Sequence, residues 1–127
     1  RYAKMSKLTR EIKQHMQGLT SGPAGEYTAS FNFPPDFIGF EGHFPGKPIL
    51  PGVCKIQAIM CMVEAATQKT PRLKEIVSAK FFTPVTCNEE TVFRVRMLSE
   101  GDNEGLAKAT ISSKDKKTAE IHLRVSF

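Results

Sequence analysis

The chain has 127 residues, 40% hydrophobic and 24% charged, with a net charge of +5 from 18 basic and 13 acidic side chains. That length makes one domain spanning 1–127, and the balance excludes wholesale disorder. Three cysteines without a CxxC pair argue against a disulfide scaffold or a zinc module and suit reduced thiols in a cytoplasmic protein.

With a Met at position 5, residues 1–5 are expected to be appended sequence and stand outside the fold. Leu8, Ile12, Met16 and Leu19 fall at i, i+4, i+8 and i+11, which predicts one helix starting near Ser6 and stopping at Gly18. Residues 26–33 alternate, with Tyr27, Ala29, Phe31 and Phe33 on one face of a half-buried strand. Residues 34–52 hold five of the eight prolines and four of the nine glycines, so the backbone is stiff and irregular. Phe37, Ile38, Phe40, Phe44, Ile49 and Leu50 predict that this loop is packed. In residues 53–66 only Lys55, Gln57 and Glu64 are polar, which predicts a buried helix. Pro51-Gly52 just before it presents the first free amides to the loop. The rest reads as strands: residues 76–86, then Phe93, Val95 and Met97, then Ala107, Ala109 and Ile111, then Ile121, Leu123, Val125 and Phe127, separated by turns at 101–105 and 113–118. Antiparallel strands around one buried helix make an α+β domain. No apolar run reaches the ~18 residues of a membrane span, and no secretory leader is visible.

The charge is dispersed, Trp is absent, and no basic cluster interleaves with aromatics, so there is no nucleic-acid-binding pattern. An acidic carrier protein would suit the same charge, and composition does not choose a partner. The chemistry concentrates in Gly42-His43-Phe44-Pro45-Gly46-Lys47-Pro48-Ile49-Leu50-Pro51-Gly52-Val53. A histidine held among prolines and aromatics can act as a base near neutrality. The helix N-terminus behind it offers N–H groups and partial positive charge to an oxygen gaining negative charge. Base plus oxyanion donor is the equipment for proton abstraction α to a carbonyl. The bland alternatives are a solvated loop histidine and, for Cys54 and Cys61, small core residues. His15 and His122 are expected on solvated faces. No metal site or phosphate-binding glycine loop is present in the pattern, so neither metal nor cofactor is expected.

The segment GHFPGKPILPGV resembles the active-site segment of the 3-hydroxyacyl-acyl-carrier-protein dehydratases of fatty acid synthesis. The resemblance extends over roughly residues 29–98 and includes Ala79-Lys80-Phe81-Phe82-Thr83-Pro84-Val85. It implies a hotdog fold, a curved antiparallel sheet wrapped around one long central helix, paired into a homodimer with active sites at the interface; a trimer of dimers stays open. It implies that His43 is the catalytic base, that the Gly52 amide polarises the thioester, and that Phe44, Pro51, Val53 and Cys61 line the substrate tunnel. It implies as partner an acyl carrier protein bearing a phosphopantetheine-linked acyl chain. The chain departs from the family where the second catalytic residue, a Glu or Asp, falls at Gln57, which has no titratable proton. Cys61 stands where the family commonly has Gln. Three functions therefore remain: a dehydratase in which Gln57 orients the leaving hydroxyl, a degenerate acyl-thioester-binding accessory subunit, and a hotdog thioesterase in which Gln57 positions water.

Overall fold

The computed structural model describes residues 2–41 and 46–127, with side chains from Lys7 onward. The elements are α1 (Tyr2–Gln14), β1 (Met16–Ser21), β2 (Glu26–Phe31), α2 (Gly52–Thr67), β3 (Arg72–Phe81), β4 (Thr91–Ser99), β5 (Glu104–Ser113) and β6 (Lys116–Ser126), with 3₁₀ turns at Pro23–Gly25 and Ile38–Phe40. The strands form one antiparallel sheet in the order β1-β2-β4-β5-β6-β3.

Period-two alternation builds the inner face of this sheet. Phe93, Val95, Ala107, Ala109, Ile111, Ala119, Ile121, Leu123 and Val125 are all buried, while Arg94, Arg96 and Lys108 between them are exposed. The β5–β6 hairpin closes through Lys114 and Asp115, both at positive φ (53° and 64°), the geometry that matches the strand twist. Ala58, Ile59, Met62 and Val63 of α2 are buried in the same core as this face. The helix stops at Gln68, whose left-handed backbone (φ 62°) directs its N–H to Glu64 O at 2.9 Å. This is the α+β arrangement expected from the sequence.

The first helix is a correction. It ends at Gln14 and not at Gly18, and Met16–Ser21 is a strand paired with β2 through Met16↔Phe31 and Ser21↔Tyr27. Gly18, at φ +64°, lies within the register shift of that pairing and does not cap the helix. Met16 and Leu19 still pack against the core, so the apolar positions were right and the period wrong. At its other end α1 takes in Tyr2–Met5, the residues set aside as appended. Strand β2 ends at Phe31, two residues early, although Phe33 is buried. Strand β3 lies at Arg72–Phe81, so it begins four residues earlier and ends five residues earlier than predicted.

The proline-rich loop is packed. The Phe33 and Phe37 rings stack at 4.4 Å and Phe40 meets Phe37 edge-on at 5.5 Å. Ile38 N–H donates to Glu11 Oε1 of α1 at 3.0 Å, and Leu50 N–H to Val85 O at 2.7 Å. Strand β3 differs from the others because it is an edge strand whose apolar side chains stay uncovered. Leu73, Ile76, Val77, Phe81 and the following Phe82 are 42–55% exposed. Among the described residues no helix is long and apolar enough to cross a membrane.

Candidate functional site

The N-terminus of α2 carries no side-chain cap, because the preceding residue is Pro51. Cys54 and Lys55 N–H bond back to Pro51 O at 3.0 and 3.3 Å. Gly52 and Val53 precede them, so their amides have no acceptor within the helix. Gly52 lines a cavity of about 320 Å³ together with Pro51, Lys55, Phe81 and Phe82. A Cβ at Gly52 would come within 3.0 Å of Phe81 Cζ, so glycine lets the ring lie over the backbone here. Lys55 is only 3% exposed, and its ammonium sits 5.0 Å from the centroid of the Phe81 ring. Burial lowers its pKa below the ordinary lysine value, with Glu89 opposing.

Gln57 faces a different space. Its Nε2 donates to Thr9 Oγ1 of α1 at 3.2 Å, and it lines a second cavity of about 390 Å³ with Lys13, Met60, Cys61 and Leu73. Five residues along a helix is about 7.5 Å and roughly 140° around the axis, so Gly52 and Gln57 of one chain serve separate cavities. Glu64, the one carboxylate lining the Gln57 cavity, is held by Lys13 Nζ at 2.9 Å and accepts from Thr70 Oγ1 at 3.2 Å. The bond from Lys13 keeps its carboxyl below the usual range. It is therefore ionised at neutral pH and cannot donate a proton in the way a raised carboxyl would.

Pro51 and Cys61 line these cavities, one each. Val53 does not; it is 59% exposed and lines neither. His43 and Phe44 lie outside the described residues. The loop that carries them is anchored on one side by the Ile38–Phe40 turn and on the other by the Ile49↔Thr86 bridge. His15 is not on a solvated face: it is half-buried, edge-on to Phe33 at 5.8 Å and to Phe37 at 6.5 Å. His122 on β6 is also half-buried. Among the described residues no group of three or more His, Cys, Asp or Glu could hold a metal.

Cys54 and Cys61 are both buried, and burial pushes each thiol up to about 11. Thiolate is the reactive form, so both are core thiols. Iodoacetamide at pH 8 should alkylate the half-buried Cys87 first and leave Cys54 and Cys61 intact, read by peptide mass spectrometry. Labelling of Cys61 ahead of Cys87 would contradict this placement. Lys55 is the residue that sequence reading passed over. Its only signal was a charge two positions before Gln57 in an otherwise apolar helix.

A model of the family described as ApeI-like (ApeI dehydratase) matches residues 20–122. A curated relative from Enterococcus faecalis named 3-hydroxyacyl-[acyl-carrier-protein] dehydratase FabZ is 32% identical over 91 residues, 66% of this chain and 64% of that protein. A relative of the same name from Lactobacillus helveticus is 33% identical over 91 residues, 66% of this chain and 62% of the other. The matched part thus spans less than two thirds of these relatives' length. Among solved structures, the dehydratase heterocomplex ApeI:P from Xenorhabdus doucetiae aligns with a TM-score of 0.72 at 18% identity, covering 88% of this chain and 96% of that one. The E. coli PaaI protein from the phenylacetic acid degradation operon aligns at 0.70 with 11% identity, covering 99% and 94%. At such identities the likeness is one of fold, and the fold is the hotdog.

Proposed function

The chain belongs to the ApeI-like dehydratase family, and on that premise we propose that it removes water from 3-hydroxyacyl thioesters carried on acyl carrier protein. The observation that carries the reading is the uncapped N-terminus of α2, where Gly52 opens on a mostly apolar cavity just after the loop that bears His43. His43 takes the Cα proton while the thioester oxygen, gaining charge, accepts from the Gly52 N–H. The Cα–H electron pair becomes the new double bond, the Cβ–O bond breaks, and the imidazolium returns the proton to the departing hydroxyl on the same face. Gln57 orients that hydroxyl and supplies no proton. The curated relatives' name motivates the carrier-protein substrate. The reading places the protein in the cytoplasm, with its thiols reduced.

Incubation with 3-hydroxyacyl carrier protein should show an 18-dalton loss by mass spectrometry (water). Retention of the hydroxyacyl group, with the thioester bound and intact, would favour a second reading: an accessory subunit that binds acyl thioesters and pairs with a homologous chain. Gln57, at the position where the family resemblance implies a carboxylate, favours it.

Either reading requires a second chain, and the uncovered face of β3 is where it would sit. An edge strand with Leu73, Ile76, Val77 and Phe81 about half exposed is an aggregation risk unless paired. Light scattering at micromolar concentration is expected to give twice 14.1 kDa, and a folded monomer would contradict the proposal. The separation of Gly52 and Gln57 within one chain agrees with a site shared between copies. Mixing inactive His43→Ala and Gln57→Ala dimers should then regenerate one intact site per mixed dimer; no recovery would place the pair within one chain. The net charge of +5 suits an acidic carrier, so association should slow as salt rises and slow further in Lys47→Glu. Rates indifferent to salt would remove the electrostatic docking.

A further inference from the structure

We propose that Lys55 is a second donor to the thioester oxygen, acting beside the Gly52 amide as an electrostatic catalytic residue, a role that rests on the dehydratase reading and extends it. Three observations meet at this side chain. Lys55 is 97% buried by its 3% exposure, and among the described residues it has no hydrogen bond or ion pair, only the face of Phe81 at 5.0 Å. A buried lysine whose ammonium no carboxylate bonds among the described residues, with Glu89 acting on it only through space, is an unfavourable group in a resting protein. It also stands in the first turn of α2, where the helix dipole already concentrates positive potential, and no acidic residue in that turn offsets it. Helical side chains lean toward the N-terminus, and Lys55 accordingly lines the same cavity as Gly52. The Phe81 ring that carries the ammonium is also the ring that closes over Gly52. Two sources of positive potential, neither bonded to a carboxylate among the described residues, thus converge on one mostly apolar space. That arrangement is repaid only when negative charge arrives there, as it does on the oxygen of a thioester losing its Cα proton.

The placement explains how the site works with Gln57. With both donors on the oxygen, the Cα–H pair is held as an enolate, the Cα–H bond broken and its proton on His43. Collapse of the enolate forms the Cα=Cβ bond and breaks Cβ–O, and the imidazolium proton leaves with the hydroxyl as water. No separate acid is needed, because deprotonation and departure are two steps and one proton serves both. Lys55 keeps its protons throughout.

The decisive measurement is Cα hydrogen exchange in D₂O on a saturated acyl-pantetheine thioester, which lacks the 3-hydroxyl and reports enolate formation alone. The wild-type dimer should exchange, and Lys55→Met should exchange ~10²–10³-fold more slowly, the usual loss of one oxyanion donor. Lys55→Arg should recover much of the rate. Lys55→Met should melt no lower than wild type, because it keeps the apolar stem and removes a buried charge; a purely structural lysine would instead lower the melting point. Lys55→Gln, run in parallel, keeps a polar head without charge and should be as slow as Lys55→Met. Exchange at the wild-type rate in both neutral variants would overturn the role of Lys55 while leaving the dehydratase reading intact. A wild type that neither exchanges nor dehydrates would overturn that reading, and this role with it.

Discussion

Gln57→Glu is expected to raise the dehydration rate by ~10²–10⁴-fold, the range supplied by a positioned general acid. The surroundings favour a protonated carboxyl. Gln57 is half-buried, and Ile56, Met60 and Cys61 line its cavity. Desolvation there would push a glutamic acid upward, toward the pKa at which it holds a proton near neutrality and can give it to a leaving hydroxyl. The neighbouring cation does not undo this, because Lys13 is already committed to Glu64 at 2.9 Å. The sign for stability follows from the same cause. A carboxyl whose folded pKa lies above its unfolded value penalises the native state as pH rises past ~4.3. The variant should therefore melt closest to wild type at acid pH and fall behind as pH increases. His43→Ala in the same background should abolish turnover. An unchanged rate in a folded Gln57→Glu dimer would show that proton delivery to the leaving hydroxyl does not limit turnover and that the imidazolium alone supplies it.

Gly39→Ala is expected to lower stability by ~1–3 kcal/mol, the usual cost of forcing a methyl group into a filled core. A Cβ at Gly39 would collide with Cε2 of Phe37 and lie 2.7 Å from Cys54 Sγ. Neither neighbour has room to retreat. Phe37 is 1% exposed and sits between Phe33 and Phe40, while Cys54 is 2% exposed on the first turn of α2. Each kcal/mol lost should lower Tm by several degrees in a domain of this size. Gly39 also lies against Cys54 in the first turn of the helix that carries Gly52, so turnover should fall beyond what the unfolded fraction explains. Calorimetry showing an unchanged Tm would mean that the Ile38–Phe40 turn yields freely, and that the loop is held elsewhere.

The elements with local signals are legible in the amino-acid order. Ala107, Ala109 and Ile111, and then Ile121, Leu123 and Val125, alternate with their neighbours and fold as β5 and β6, although both strands run into residues expected as turns at 101–105 and 113–118. The apolar run after Pro51-Gly52 is α2, because too few polar positions remain for a solvated face. The loop before it is packed because its aromatics outnumber what a linker can leave exposed. The histidine motif and Gln57 are expectations drawn from residue type and spacing, and their roles belong to the proposed function.

Where those residues stand depends on contacts between distant segments. Met16 and Leu19 fit a helical stripe as well as a strand, and pairing with β2 settled the matter by satisfying a row of backbone groups at once. The bareness of β3 has no local signature, because Leu73, Ile76 and Phe81 are as apolar as core residues and stay half exposed only because β3 is the edge of the sheet. Gln57 meets Thr9 across 48 positions of chain, which no spacing could foretell. Lys55 read as ordinary helix charge until Phe81, 26 residues on, closed over it. In each case the deciding contact joins segments far apart in the chain, and only packing brings such segments together.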